Sequence, residues 1–317
     1  MAIVTQKVLI VKTSSLGDIM HGLQLAQTLK ENDPGIEITW VVRSRFEPLV
    51  RACAAVDRTV TFYRTRGIAE FANLCKKLRR QRFDLVLDLQ GLARSGLMTF
   101  FSKAPRKVGR SDAREGATLF YKELVPLPRG IGCAHPVDIL LEFCRVFGFE
   151  TKLRGEVKFS LKDSSDLGIP QDHRIVTIVP EGRRPDMEWR HFAALAEALL
   201  SKEARLSIQL VATRLYEWIA KLQSEFENRV FVMRSMDPLK LAGCLQNTEL
   251  LIANDSDAVH MSAAMGIKTI GLYGPSDGNR IGPYPLSESR NGAINALGGD
   301  LASLSVDRVL EEVSRRL

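Results

Sequence analysis

Two short segments far apart in the chain carry side chains suited to handling phosphate and protons. In Thr13-Ser14-Ser15-Leu16-Gly17-Asp18, three hydroxyls, a glycine and a carboxylate follow directly on the apolar run Lys7–Lys12. In Asn254-Asp255-Ser256-Asp257-Ala258, a polar cluster closes the apolar run Leu250–Ala253, and His260 follows among small residues. A carboxylate at a loop tip can take a proton from an attacking hydroxyl, which makes Asp18 a candidate general base. A helix that starts just past a strand presents unpaired N–H groups and the positive end of its dipole, and so receives anions such as a diphosphate. Thr13, Ser14 and Ser15 are candidate donors to phosphate or sugar oxygens. A plainer reading stands beside each of these: Asp18, Asp255 or Ser256 caps a helix, Gly17-Asp18 is a turn pair, and His260 is a packed structural histidine. The first loop has neither G-x-G-x-x-G nor G-x-x-x-x-G-K-[ST] spacing, so the dinucleotide fingerprint and the P-loop are both absent there.

The elements that must hold these residues alternate in type. Strand candidates Val8–Val11, Ile36–Val42, Thr59–Phe62 and Asp84–Leu89 are separated by helical patterns, one of them from about Met20 to Glu31. A second series follows: Ile175–Val179, Ile208–Ala212, Val230–Val232, Leu250–Ala253 and Thr269–Leu272, with helices Phe192–Leu200, Leu215–Phe226 and Leu239–Leu245 between them. Such alternation predicts parallel α/β sheets, whose ligands bind at the carboxyl ends of the strands. The stretch from about Phe149 to Gln171 is polar and irregular and reads as the crossing between two domains. The expected boundaries are 1–160, 170–300 and a final helical segment 301–317.

At 317 residues, two domains are the natural expectation. Residues 1–160 hold 26 Lys and Arg against 16 Asp and Glu, a balance of +10, whereas residues 161–317 hold 18 against 21, a balance of −3. Lys76–Arg82 (KKLRRQR) reads as a solvated helix face. Lys103–Arg110 (KAPRKVGR) reads as a loop whose charge suits a phosphorylated or carboxylated acceptor, or an anionic membrane surface. Nucleic acid is disfavoured, because no helix-turn-helix, RNA-binding signature or aromatic-interleaved basic stripe is present. The five cysteines are scattered, with no C-x-x-C spacing, which points to reduced thiols in a cytoplasmic protein and away from zinc. There is no secretory signal pattern and no apolar stretch of the roughly 20 residues that cross a bilayer.

Taken together, KTSSLGD with His21, LDLQGLARSG (Leu87–Gly96), PEGRRPDMEW (Pro180–Trp189), NDSDAVHMSAAMG and GLYGPSD resemble the lipopolysaccharide heptosyltransferases, glycosyltransferase family nine. The resemblance implies the GT-B architecture, two Rossmann-like α/β domains facing across a cleft, with the last helix packing back on the first domain. It implies a cytoplasmic, metal-independent, inverting transfer of heptose from ADP-heptose to the Kdo/heptose inner core of a lipopolysaccharide precursor such as Kdo-lipid A, with peripheral contact at the inner membrane and no cofactor. Asp18 then becomes the base, with Thr13, Ser14, Ser15 and Gly17 around acceptor and phosphate. Asp255, Ser256, Asp257, Ala258 and His260 hold the donor diphosphate. Glu217, after a strand, takes the position that binds ribose hydroxyls or is a surface glutamate, and Met236 lines the base pocket or belongs to the core. Two positions depart from the family pattern: Asp257 stands where glycine is usual, and Met187 where first-heptose enzymes carry lysine, so that Arg183, Arg184 or Arg190 would have to meet the leaving diphosphate. These departures keep two alternatives open, a different donor or acceptor on the same fold, and a non-catalytic nucleotide-binding subunit in envelope assembly.

Overall fold

The computed structural model describes residues 6–128, 134–161, 167–235, 237–287 and 289–317. The chain divides into two compact units, Met1–Ser160 and Leu161–Leu317.

The first unit runs β1 (Gln6–Val11), α1 (Leu16–Asn32), β2 (Ile36–Arg43), α2 (Glu47–Ala52), β3 (Arg58–Phe62), α3 (Gly67–Arg80), β4 (Leu85–Asp88), α4 (Ala93–Phe101), β5 (Arg106–Arg110), β6 (Glu123–Val125) and α5 (Pro136–Leu141). Its six strands are all parallel, in the order β3-β2-β1-β4-β5-β6. Val8, Leu9, Ile10 and Val11 are fully buried, as a central strand covered on both faces by helices requires. The second unit runs β7 (Arg174–Val179), α6 (Phe192–Lys202), β8 (Leu206–Val211), α7 (Glu217–Glu225), β9 (Val230–Met233), α8 (Pro238–Leu245), β10 (Leu250–Asn254), α9 (Asp257–Ala264), β11 (Lys268–Tyr273), α10 (Gly278–Ile281), β12 (Asn291–Asn295) and α11 (Val306–Ser314). Its order is β12-β11-β10-β7-β8-β9, again all parallel.

Numbered within each unit, both sheets have the Rossmann order 3-2-1-4-5-6. The order therefore reverses between β1 and β4 in one unit and between β7 and β10 in the other. At such a reversal the connections leave on opposite faces and a crevice opens beyond the strand ends. The loops after these four strands contain Thr13–Ser15, Gln90, Arg183 and Asp255–Ser256, and Asp18 lies in the first turn of α1.

Several elements differ from the sequence expectation. KAPRKVGR is not a loop: Arg106–Arg110 is β5, paired with β4 and β6. Only Val108 and Gly109 in it are buried, so its strand character comes from the backbone ladder rather than from an apolar run. Helix α1 starts at Leu16, four residues ahead of the expected Met20, because Ser15 serves as its N-cap. The last helix, α11, buries Val309 and Val313 in the core of the second unit and packs on α6. Lys76, Lys77, Arg79 and Arg80 lie on the solvated face of α3.

Candidate active site

In the first unit the site is built on the ends of β1 and β4. Thr13 and Ser14 donate their backbone N–H groups to Gln90 Oε1, at 3.0 and 3.2 Å, which ties the β1 loop to the β4 loop. Ser15 donates both its N–H and its hydroxyl to Asp18 Oδ2, each at 3.0 Å. Asp18 thus completes a cap at the third helical position, and the capping reading of this residue is physically real. Its other oxygen, Oδ1, lies 3.6 Å from Lys12 Nζ. Lys12 is almost fully buried, whereas the Asp18 side chain is 44% exposed, so the carboxylate is open to an incoming group while its counter-ion is not. Burial works to raise the Asp18 carboxyl, but the Lys12 charge, the two Ser15 donors and Arg110 outweigh it and hold the group below the usual carboxylate range. Burial lowers the Lys12 ammonium, and Asp18 and Asp88 oppose that.

Behind this pair, Asp88 is fully buried at the end of β4. Its Oδ1 accepts from Gln90 N (2.9 Å) and Gly91 N (3.0 Å), and its Oδ2 from the Tyr121 hydroxyl (2.8 Å). Burial nevertheless pushes its carboxyl above the ordinary value. The Tyr121 ring lies over Gly109, where a Cβ would meet ring carbons at 2.2 Å, so glycine is required there by close approach. Beside the loop opens a cavity of about 630 Å³ lined by Thr13, Ser14, Gln90 and the guanidinium-bearing Arg43, Arg64 and Arg94. Burial and then the charges of Arg64, Arg45 and Arg94 lower the Arg43 pKa, the sign of a cationic cluster lacking enough anions.

In the second unit the ends of β7 and β10 are joined through Asn254, which is fully buried. It donates to Pro180 O at 2.7 Å and accepts from Trp189 N at 3.0 Å. Asp255 follows, 2% exposed, with Oδ2 accepting from Ser276 Oγ at 2.7 Å. Arg183 Nη2 lies 3.9 Å from Asp255 Oδ1 and 3.6 Å from Asp257 Oδ1. Ser256 is the N-cap of α9, yet its hydroxyl makes no cap bond and, though buried, finds no hydrogen-bond partner among the described residues. A buried hydroxyl at a helix start, with no partner among the described residues, is a group available to a ligand. Tyr273, fully buried at the end of β11, also has a hydroxyl without a partner among the described residues; burial and then the Asp255 charge raise its pKa.

The structure thus brings Thr13, Ser14, Ser15, Gly17 and Asp18 together in one unit, and Arg183, Asp255, Ser256, Asp257, Ala258 and His260 in the other. Ala258 and His260 are buried in α9. Met187 lies in a short 3-10 turn, Pro185–Met187, after β7. Glu217 is exposed at the first position of α7, after β8. Met236 lies outside the described residues. Residues that the sequence reading did not single out are Lys12, Asp88, Gln90, Tyr121 and Tyr273. Lys12 and Gln90 were inside segments already noticed, but the partners of Gln90 are set by a strand neighbour distant in sequence, and the Lys12 pairing by how the β1 loop folds back. A further pair, Glu181 and Arg214, links the β7 and β8 loops: Glu181 accepts from Thr213 N and Arg214 N, each at 2.6 Å, and Arg214 pairs with Glu188. Among the described residues no group of three or more His, Cys, Asp or Glu side chains is arranged to hold a metal ion.

Comparison with known proteins gives one consistent picture. The profile of glycosyltransferase family 9 (heptosyltransferase) matches residues 71–300. Lipopolysaccharide heptosyltransferase 1 of Escherichia coli K12 is 26% identical, over 97% of this chain and 99% of its own. The protein of the same name from Pseudomonas aeruginosa is 26% identical, over 90% and 84% respectively. Among solved structures, E. coli heptosyltransferase WaaC with ADP-2-deoxy-2-fluoro heptose superposes with a TM-score of 0.77 at 24% identity, covering 98% and 99% of the two chains. The family 9 glycosyl transferase from Veillonella parvula superposes at 0.81 with 16% identity, covering 99% and 97%. The shared fold is GT-B, two Rossmann-like α/β units in one chain.

Proposed function

The chain belongs to glycosyltransferase family 9, the heptosyltransferases, and from that premise we propose that it moves a heptose from ADP-heptose onto the Kdo/heptose inner core of a lipopolysaccharide precursor, with inversion. The observation that carries this reading is the state of Asp18: a half-exposed carboxylate at the β1 switch point, held ionised by a buried lysine and anchored through one oxygen by Ser15. A base must be unprotonated and must be reachable, and both conditions hold here. Asp18 takes the proton from the acceptor hydroxyl, that oxygen attacks the anomeric carbon, and ADP departs from the opposite face of the sugar. The departing diphosphate is received in the second unit by the N–H groups at the start of α9, by the Ser256 hydroxyl and by Arg183. These supply the positive charge that a divalent ion would otherwise bring, so the transfer proceeds without metal and survives EDTA. His260 and Ala258 line the same helix start, and Glu217 meets the ribose. The arginine-lined cavity beside Thr13 and Ser14 suits the carboxylates and phosphates of a Kdo-lipid A acceptor. The protein works at the cytoplasmic face of the inner membrane, where that acceptor is anchored.

A second reading is favoured by one contact. Arg183, beside the start of α9, is engaged by Asp255 and Asp257, and no lysine stands at Met187. A donor with a different nucleotide or sugar, or a nucleotide-binding role without transfer, would accommodate that. The test is ADP release from a panel of nucleotide-sugars including ADP-heptose, with heptose-deficient lipopolysaccharide as acceptor. Acceptor-dependent release that disappears in folded Asp18→Asn supports the first reading. Silence across the panel, or release undiminished in the variant, refutes it.

A further inference from the structure

Away from both strand-end sites, one edge of the first unit holds large apolar side chains in water. Phe100 is 53% and Phe101 37% exposed at the end of α4; Leu119 is 85% exposed in the following 3-10 turn; Leu124 is 51% exposed on β6. These side chains form one neighbourhood. The Phe100 ring lies 5.3 Å from that of Phe101 and 5.9 Å from that of Phe120, next to Leu119. In the parallel β5–β6 register Gly109 faces Leu124, and Lys122 N donates to Lys107 O at 2.8 Å. Paired residues of neighbouring strands point to the same side of a sheet, so Lys107, Lys122 and Leu124 share a face. Lys107 Nζ lies 5.5 Å from the centre of the Phe100 ring, which identifies that face as the one α4 covers.

The patch is therefore apolar and cationic at once. Lys122 is exposed on it, and burial followed by the Lys122 charge lowers the Lys107 ammonium. Glu123, the acid on β6, is occupied by a two-pronged pair with Arg106 at 2.9 and 2.8 Å. Isolated exposed leucines need no explanation, but two phenylalanines and two leucines exposed along one edge of the unit, beside Lys107 and Lys122, do. A second copy of the chain would bring cation against cation. Phospholipid offers the opposite: anionic headgroups for the lysines, and the acyl boundary beneath them for Phe and Leu.

We propose that the face formed by Phe100, Phe101, Leu119, Leu124, Lys107 and Lys122 is a docking surface for an anionic lipid bilayer. No helix among the described residues is long and apolar enough to cross a membrane, so the contact is interfacial. The proposal specifies the surface behind the membrane contact named above, and it does not depend on the transfer reaction. The test is sedimentation of the full-length protein with phosphatidylglycerol-containing vesicles and with pure phosphatidylcholine vesicles. Wild type is expected to partition onto the anionic vesicles, and to be released at about 1 M salt, where screening extends only ~3 Å. Loss of Lys122 in Lys122→Ser should weaken partitioning about fivefold, the weight of one basic residue at a charged surface. The doubly substituted Leu119→Glu/Leu124→Glu protein should lose at least about tenfold. Both leucines are exposed, so its thermal melt should match wild type and separate lost binding from lost folding. Equal partitioning onto both vesicle types, or wild-type partitioning by the folded double variant, overturns the proposal. So does a wild-type dimer that the same substitutions make monomeric, since the face would then join two copies.

Discussion

Lys12→Met is the substitution that most directly tests how this site maintains its base. The two charges are 3.6 Å apart. Coulomb's law gives about 1 kcal/mol for that pair in bulk water and about 4–5 kcal/mol at an effective dielectric of ~20. Lys12 is buried but the Asp18 carboxylate is 44% exposed, so solvent screening takes the value to about 1.5–3 kcal/mol, or about 1–2 pH units. The sign follows from the causes. Lys12 is the largest influence holding the carboxyl down against burial, and methionine removes that charge while leaving the burial and the Ser15 donors. The Asp18 pKa must therefore rise. Because the base acts only when ionised, the acid limb of kcat/KM, measured by ADP release across pH, should move up by about 1–2 units. At pH 7 Asp18 remains ionised, so the defect should grow steadily as the assay is made more acidic. Lys12→Arg should keep the wild-type limb. A folded, active Lys12→Met enzyme whose acid limb superposes on wild type would refute the electrostatic argument. A loss equal at every pH would mean that Lys12 acts by some route other than the ionisation of Asp18.

Two further outcomes follow from the second unit. Asp257→Asn removes one of the two carboxylates on Arg183 and the charge nearest the start of α9. ADP should then bind about five- to tenfold more tightly by calorimetry, as expected for releasing a half-exposed ion pair of about 1 kcal/mol; weaker binding would show that Asp257 itself holds the nucleotide. Glu249 receives Arg174 through two bonds of 2.8 Å, and that pairing, against burial, holds its carboxyl below the usual range. A depressed carboxyl adds stability above its unfolded pKa of about 4.3 and loses it as pH falls towards the folded value. Glu249→Gln should therefore melt a few degrees lower than wild type at pH 7, by about 1 kcal/mol, with the gap narrowing below about pH 4. A gap that is constant with pH would contradict the linkage.

Val8–Val11 and Leu250–Ala253 were readable as buried strands because four apolar residues in a row have few other ways to leave water. Asp18 and the Asp255–Ser256 pair were readable because a polar turn after such a strand has a limited set of uses. β5 was not readable. Its residues are mostly cationic, and its strand form depends on backbone bonds to β4 and β6 that no local pattern encodes.

By itself the sequence determined which chemical groups are available, the alternation that dictates two parallel sheets, and the family to which the motifs belong. Only the tertiary structure decided which of those groups meet. Gln90 reaches Thr13 across 77 positions of chain because β4 lies beside β1 at the reversal of strand order. Arg183 reaches Asp255 because β7 and β10 are neighbours in the same way. The ionisation of Asp18 draws on both: Ser15 and Lys12 are its neighbours along the chain, but burial and the distance to the Lys12 charge depend on how the β1 loop is packed.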